Sequence, residues 1–307
     1  MYSRSISAFS ALACASLAIP AIAQDISVPV DVVEEAAEEQ QERTGPPEGF
    51  GETVFDGDFL TIGVGGAISP SYTGSNDYVF SALPVVQGSL GGVRFSPRAA
   101  GLTIDFLPDP GEGVGFDLGI AARVRSNRAD RIKDDVVQQY GVLDRAVEVG
   151  PSVGVNFPRL LNPFDSLSIK TDVMFDVAGA HGGTVVSPSI SYFTPINRGV
   201  AASLTLSTEW ADEDFQDYNF TVDPADFTGM GASPLAAFDP DGGGFTSAGA
   251  SLLIGVDLDG DITNGGLSLV TIVGYSQLLG DAANTPFTSE RGSRSQLLGV
   301  LGIAYTF

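Results

Sequence analysis

The chain holds one cysteine, one histidine, one tryptophan and three methionines in 307 residues. With Cys14 as the only thiol, no disulfide can form within the chain, which suits an exported bacterial envelope protein that works without them. A single histidine, His181, rules out a two-histidine metal centre built by one chain. Cations are also scarce, with 15 Lys+Arg against 38 Asp+Glu and a net charge of −23, which excludes nucleic-acid binding by phosphate neutralisation. Charged residues make up only 17%, below the soluble average of about 25%. What is abundant is glycine, at 38 residues, beside a hydrophobic content of 43% and a mean hydropathy of +0.17. Such a chain is too apolar to be disordered throughout, and it reads as many short strands joined by glycine turns.

Long hydrophobic runs are missing from most of the sequence. In residues 1–23 the only charge is Arg4, and an uncharged stretch leads to Ala21-Ile22-Ala23, the pattern of a secretory signal peptide cut before Gln24. Ala11-Leu12-Ala13-Cys14 loosely matches a lipoprotein site, but cleavage there would leave an apolar tail over 15–23. Residues 24–57 are crowded with acids and contain Arg43 as their lone cation, with Pro46-Pro47 inside. That composition predicts a mostly disordered periplasmic linker. The uncharged stretch 262–280 is broken by Asn264, Gly265, Gly266, Ser268, Gly274 and Gln277, so no transmembrane helix is expected.

From residue 58 onward the hydropathy alternates with a period of two, as a strand with two unlike faces requires. Phe116, Leu118, Ile120 and Val124 form one face of 114–125, and Asp117, Gly119, Arg123 and Arg125 the other. Leu167, Ile169, Val173 and Phe175 likewise oppose Lys170 and Asp172. A soluble β-sandwich would alternate too, but the polar faces here mix Gly, Ala and Ser with few charges, and the apolar faces run about ten residues, enough for a tilted strand to cross an outer membrane. Lys or Arg facing lipid at mid-membrane costs about 2–4 kcal/mol, and Arg123, Arg125 and Lys170 all avoid that phase. The expected fold is an all-β transmembrane antiparallel barrel over 58–307. Strands are expected at 58–69, 78–88, 115–125, 145–157, 167–177, 184–194, 199–210, 245–257, 267–279 and 296–307. Both termini should face the periplasm, so the number is even. Two short strands within 92–106, turning near Pro97-Arg98, give twelve; ten is the fallback.

Candidate chemistry is sparse. A Ser-His-acid hydrolase would need His181 with Asp176 and Ser187 or Ser189. In Ala180-His181-Gly182-Gly183 a tight outer turn is the simpler reading, with glycine supplying positive φ and histidine tolerating it. The run Asp257-Leu258-Asp259-Gly260-Asp261 has acids at calcium-loop spacing, but Ile262 and Ser268 stand where such a loop needs Gly and Glu, so a polar turn is expected. The acids Asp212, Glu213, Asp214, Asp217, Asp239 and Asp241 read as solvated loop charge. No catalytic, cofactor or metal site is assigned. Asp117, Arg123, Lys170 and Asp172 are expected to meet in the lumen as a charge network that plugs or tunes it.

The close of the sequence, Gly302 to Phe307 with Tyr305-x-Phe307, resembles the terminal strand by which bacterial outer-membrane barrels are read by their assembly machinery. Further residues carry a narrower resemblance. Pro70, Tyr72, Gly74 and Ser75, then Tyr78 and Pro84, the His181-Gly182-Gly183 loop, the 215–222 segment, Asp281, Pro286, Ser293, Gln296 and Phe307 together resemble the MltA-interacting protein (MipA)/OmpV family of outer-membrane proteins. The resemblance spans roughly 58–307 and departs at Thr285, at Asn219-Phe220-Thr221 and in the acidic linker. It implies a non-enzymatic outer-membrane scaffold surrounded by lipid and lipopolysaccharide. In some members that scaffold bridges a murein transglycosylase and a bifunctional penicillin-binding protein. A small porin or selective channel is the alternative, and an outer-membrane hydrolase comes third.

Overall fold

The structure, a computed structural model, describes residues 53–98, 100–108 and 113–307. The expected signal peptide at 1–23 and the acidic segment up to residue 52 lie outside the described residues. The described end of that segment forms a 3-10 turn, Val54–Asp56, in which the Thr53 amide donates to the Asp56 carboxylate at 2.6 Å and the Val54 amide to the Thr263 carbonyl at 2.8 Å.

Twelve antiparallel strands follow: β1 (Phe59–Pro70), β2 (Tyr78–Leu90), β3 (Val93–Arg98), β4 (Gly101–Asp105), β5 (Gly115–Arg125), β6 (Ala146–Pro158), β7 (Ser166–Asp176), β8 (Thr184–Asn197), β9 (Val200–Ala211), β10 (Gly244–Asp257), β11 (Gly266–Leu278) and β12 (Ser295–Thr306). Each pairs with its neighbours in sequence, and β12 pairs with β1 to close the barrel. The ambiguous 92–106 stretch is a hairpin, with Ala100 at φ 54° in its turn, so the ten-strand alternative falls away.

The side-chain alternation is that of a membrane wall. Val64, Phe80, Phe116, Leu206, Val273 and Leu301 all point outward and are more than half exposed. Leaving such side chains in water forgoes about 1.5–3 kcal/mol each, a loss that a surrounding hydrocarbon phase removes. Among the described residues no helix is long and apolar enough to cross a membrane; the strands do so, each paired with a neighbour on both sides in one closed barrel, although β2 and β3 share only three residue pairs.

One barrel end carries short turns and the other long connections. The long ones fold into a packed cap with four short helices: α1 (Asp135–Gln138), α2 (Glu213–Phe220), α3 (Gly280–Asn284) and α4 (Pro286–Ser289). Asp134 starts α1 by accepting from the Val136 and Val137 amides, and Asp212 starts α2 by accepting from Phe215. The buried apolar clusters lie here rather than in the lumen. One gathers Phe215, Phe220, Leu278 and Ala282, and the other Tyr72, Val137, Val222 and Phe287. The β1–β2 turn inserts beneath α4, where Gly74 has φ 97° and a Cβ would lie 2.0 Å from the Thr288 hydroxyl, so only glycine fits.

Candidate functional site

The inward face of the wall holds two ion-paired layers. Nearer the short turns, Arg94 Nη2 reaches Asp105 Oδ2 at 3.0 Å and Asp117 Oδ1 at 2.5 Å, and Lys170 Nζ lies 2.9 Å from Asp117 Oδ2. The Lys170 stem crosses Gly154, where a Cβ would meet its Cγ at 2.8 Å. Beside them Arg98 Nε donates to Asp172 Oδ2 at 3.0 Å, and Ser152 Oγ donates to Oδ1 of the same carboxylate at 2.6 Å. These groups border a small cavity of about 60 Å³, room for one or two waters.

Towards the cap, Arg123 and Arg125 face Glu148 and Glu209. Arg123 Nε donates to Glu148 and its Nη2 to Glu209 at 3.1 Å; Arg125 bonds the same two carboxylates at 2.6 and 2.8 Å. Two cations against two carboxylates leave no net charge, which is what makes burial of all four tolerable. Glu148 is fully buried and has a third partner in His181. His181 Nδ1 accepts from the Gly183 amide at 3.0 Å, so Nε2 carries the hydrogen and donates to Glu148 Oε1 at 3.2 Å. The ring stands edge-on to Phe215 at 5.0 Å, and the Arg125 guanidinium lies 4.8 Å over that same Phe215. Between this layer and the cap lies a cavity of about 800 Å³.

The four residues expected to form one network are divided. Asp117 and Lys170 are in contact, Asp172 pairs with Arg98, and Arg123 belongs to the other layer. Missing from the sequence reading were Arg94, Arg98, Asp105, Glu148 and Glu209. Glu209 already stood on the polar phase of its strand, and Arg94, Ser96 and Arg98 share a period of two. What hid the arginines was that the two short strands expected within 92–106 were placed without an inward and an outward face.

His181 is no ordinary turn residue. Positive φ falls on Gly179 (79°) and Gly182 (65°), while the His181 side chain is 1% exposed and turned inward. Asp176 accepts from the amides of Ala178, His181 and Gly182, so it shapes the turn and does not orient the ring. Ser187 and Ser189 lie opposite Asp172 and Lys170 in the β7–β8 register, and no serine hydroxyl of the described residues bonds the His181 ring. The Asp257–Asp261 acids are engaged by their own turn. Asp257 Oδ1 accepts from the amides of 259, 260 and 261, and Asp261 is held at a pKa of about 2 by Thr263 and Arg198. Among the described residues no group of three or more His, Cys, Asp or Glu is placed to hold a metal ion.

Most residues that carried the family resemblance converge on the cap. Tyr72 donates to the Phe287 carbonyl at 3.4 Å, the Gly74 amide to Gln296 Oε1 at 3.3 Å, and Ser71 bonds Ser75 at 2.9 Å. Tyr78 accepts from the Leu297 amide at 3.2 Å, Pro286 opens α4, and Asp281 accepts from Asp241. Pro84 lies mid-strand in β2, and Phe307 exchanges backbone bonds with Leu60. Two of the points of departure touch, since Thr285 Oγ1 donates to the Phe220 carbonyl at 2.8 Å.

No curated protein sequence matches the chain. Among solved structures, an outer membrane channel of the COG4313 group from Pseudomonas putida F1 is similar at 13% identity and a TM-score of 0.41, over 86% of this chain and 100% of that one. The toluene transporter TodX from Pseudomonas putida gives 9% and 0.36 over 82% and 89%, and the toluene transporter TbuX from Ralstonia pickettii 9% and 0.33 over 84% and 90%. Over residues 62–307 the sequence matches the family described as MltA-interacting protein MipA, and with that span covering most of the chain it belongs to this family.

Proposed function

We propose that this protein is a non-enzymatic barrel of the outer membrane that serves as an attachment platform, with the long-loop cap outside and the acidic segment 24–57 in the periplasm as the docking arm for a murein-processing transglycosylase. The observation that carries the reading is the pair of ion-paired layers across the lumen, Arg94/Asp105/Asp117/Lys170 and Arg123/Arg125/Glu148/Glu209. They stand between the cap cavity and the short-turn end, where an open porin would keep a water column. The family's own description supplies the partner class, an MltA-type enzyme. A penicillin-binding protein would be the second partner. Catalysis at His181 is disfavoured, because its ring is spent on Glu148 and on the Gly183 amide.

A narrow channel is the second reading, favoured by the 800 Å³ cavity under the cap. The test is a pull-down with the transglycosylase using the barrel with and without residues 25–52, alongside single-channel recording. Loss of association on deletion, with heat-modifiable gel mobility retained and no steady conductance, supports the platform. Unaltered association, or a steady open pore in the intact protein, overturns it.

A further inference from the structure

The barrel wall has a gap with a cause in the sequence. β1 holds β2 along its whole length, from Phe59↔Ser89 to Pro70↔Tyr78. On the opposite edge β2 meets β3 in only three pairs, Gly88↔Phe95, Ser89↔Arg94 and Leu90↔Val93. Over residues 78–87 that edge pairs with no strand among the described residues.

Backbone parity explains why pairing stops. Leu60 and Phe307 exchange both hydrogen bonds, so even-numbered residues of β1 face β12 and odd-numbered ones face β2. Through the β1–β2 register, the even-numbered residues of β2 then face β3. Coming round from β5, the Val124 amide donates to Ala100 and the Phe106 amide to Leu118, which turns the odd-numbered residues of β3 toward β2. The next bonded rung would join Val86 to Pro97, and Pro97 has no N–H to give. Pro84, on the facing edge one rung further, lacks one as well. β3 and β4 have 6 and 5 residues against 13 in β2, so above their hairpin the wall lacks two strands for about 25 Å along β2.

Arg131 Nη1 donates to the Phe80 carbonyl at 2.8 Å and Lys133 Nζ to the Tyr78 carbonyl at 2.5 Å, which covers the top of this edge. Lower down, the Ala82, Pro84 and Val86 edge is bonded by none of the described residues. Backbone left open at membrane depth is tolerated only where it lines a wet cavity. Ala82 and Val124, both on the outer face, do line the cavity beneath the cap, as does Ala100 at the hairpin turn. The cavity therefore reaches the lipid face through this window.

We propose that the cap cavity is a binding chamber for an uncharged single-chain amphiphile that enters sideways from the bilayer between β2 and the β3–β4 hairpin. Its mouth is apolar, with Val79, Leu83 and Val124; its walls carry hydroxyls such as Ser207 and Ser251, which suit a hydrogen-bonding head. Its floor is the charge-balanced Arg123/Arg125/Glu148/Glu209 layer, which offers no uncompensated charge to an ionic head. At about 800 Å³ it falls within the roughly 300–1,000 Å³ range of small-molecule sites.

The test is photolabelling of the full-length folded protein in lipid vesicles carrying a monoacylglycerol with a diazirine in its tail, mapped by peptide mass spectrometry. Adducts on inward residues Leu83 and Ser251, beside those on outward Phe80 and Val273, are expected. They should fall several-fold in the P84T/P97T variant, which restores both missing N–H donors, lengthens the β2–β3 ladder and narrows the window. A fatty-acid probe bearing a carboxylate should label the interior less. Adducts confined to outward residues of the unaltered protein overturn the proposal, and this arm is decisive even where the variant fails to fold. Interior labelling undiminished in a folded P84T/P97T barrel overturns the lateral route.

Discussion

His181 Nε2 lies 3.2 Å from Glu148 Oε1, so the only histidine of the chain is tied to the carboxylate that also holds Arg123 and Arg125. Removing Glu148 leaves two arginines facing Glu209 alone, whereas removing His181 deletes one hydrogen bond and a ring contact. Glu148→Ala should therefore destabilise the barrel by about 3–5 kcal/mol, and His181→Ala by about 1–3 kcal/mol. Urea midpoints followed by heat-modifiable mobility measure both, and the reverse order would refute this account of the layer.

Inside and outside are assigned by neighbouring residues in β7. Ile169 faces outward and Lys170 pairs with Asp117 inside. Ile169→Arg places a charge in lipid at about 2–4 kcal/mol, while Lys170→Ala leaves Asp117 with Arg94 as partner. Folding yield into vesicles should fall far more for the first, and equal yields would mean that the phase is wrong.

At Gly154 any side chain meets the Lys170 stem and backbone, with the Ile169 carbonyl 3.0 Å from a Cβ. Gly154→Val should cost about 1–3 kcal/mol through overpacking and dislodge Lys170 from Asp117. Pairing Gly154→Val with Lys170→Ala should recover part of the loss; no recovery would show that the clash lies with backbone alone.

Tyr72, in the β1–β2 turn, has its phenol pushed up to about 12 by burial first and then by Asp134. Because the folded value exceeds the unfolded one near 10, this group's contribution to stability is whole below pH 10 and is lost as pH rises through about 12. Ultraviolet titration should show a tyrosine step near pH 12, and Tyr72→Phe should abolish that step. A wild-type curve complete by pH 11 would contradict the buried placement.

Much of the wall is legible in the alternation. Phe116/Asp117 and Ile169/Lys170 differ so sharply in the cost of facing lipid that a period of two fixes which side each takes. Parity demanded an even number and left ten and twelve open, and the β3–β4 hairpin decided for twelve. The site was less legible. Asp117 and Lys170 lie on different strands, β5 and β7, and meet across Gly154 of β6, a contact that depends on how three strands are staggered. Arg123 could choose among several inward acids, and only the register that sets it opposite Glu148 decides. The cap was not legible at all, because its packing joins Tyr72, Val137, Val222 and Phe287 from four separate connections without any periodic signal.

The sequence by itself determined the barrel, its inward and outward faces and the prolines that end the β2–β3 ladder, since these follow from local chemistry: side-chain transfer cost and a missing N–H. Only the tertiary structure decided which charges pair, that His181 turns inward, and that the two prolines stand on facing edges and so open the wall. Those are relations between strands, set by stagger and closure, and no single segment encodes them.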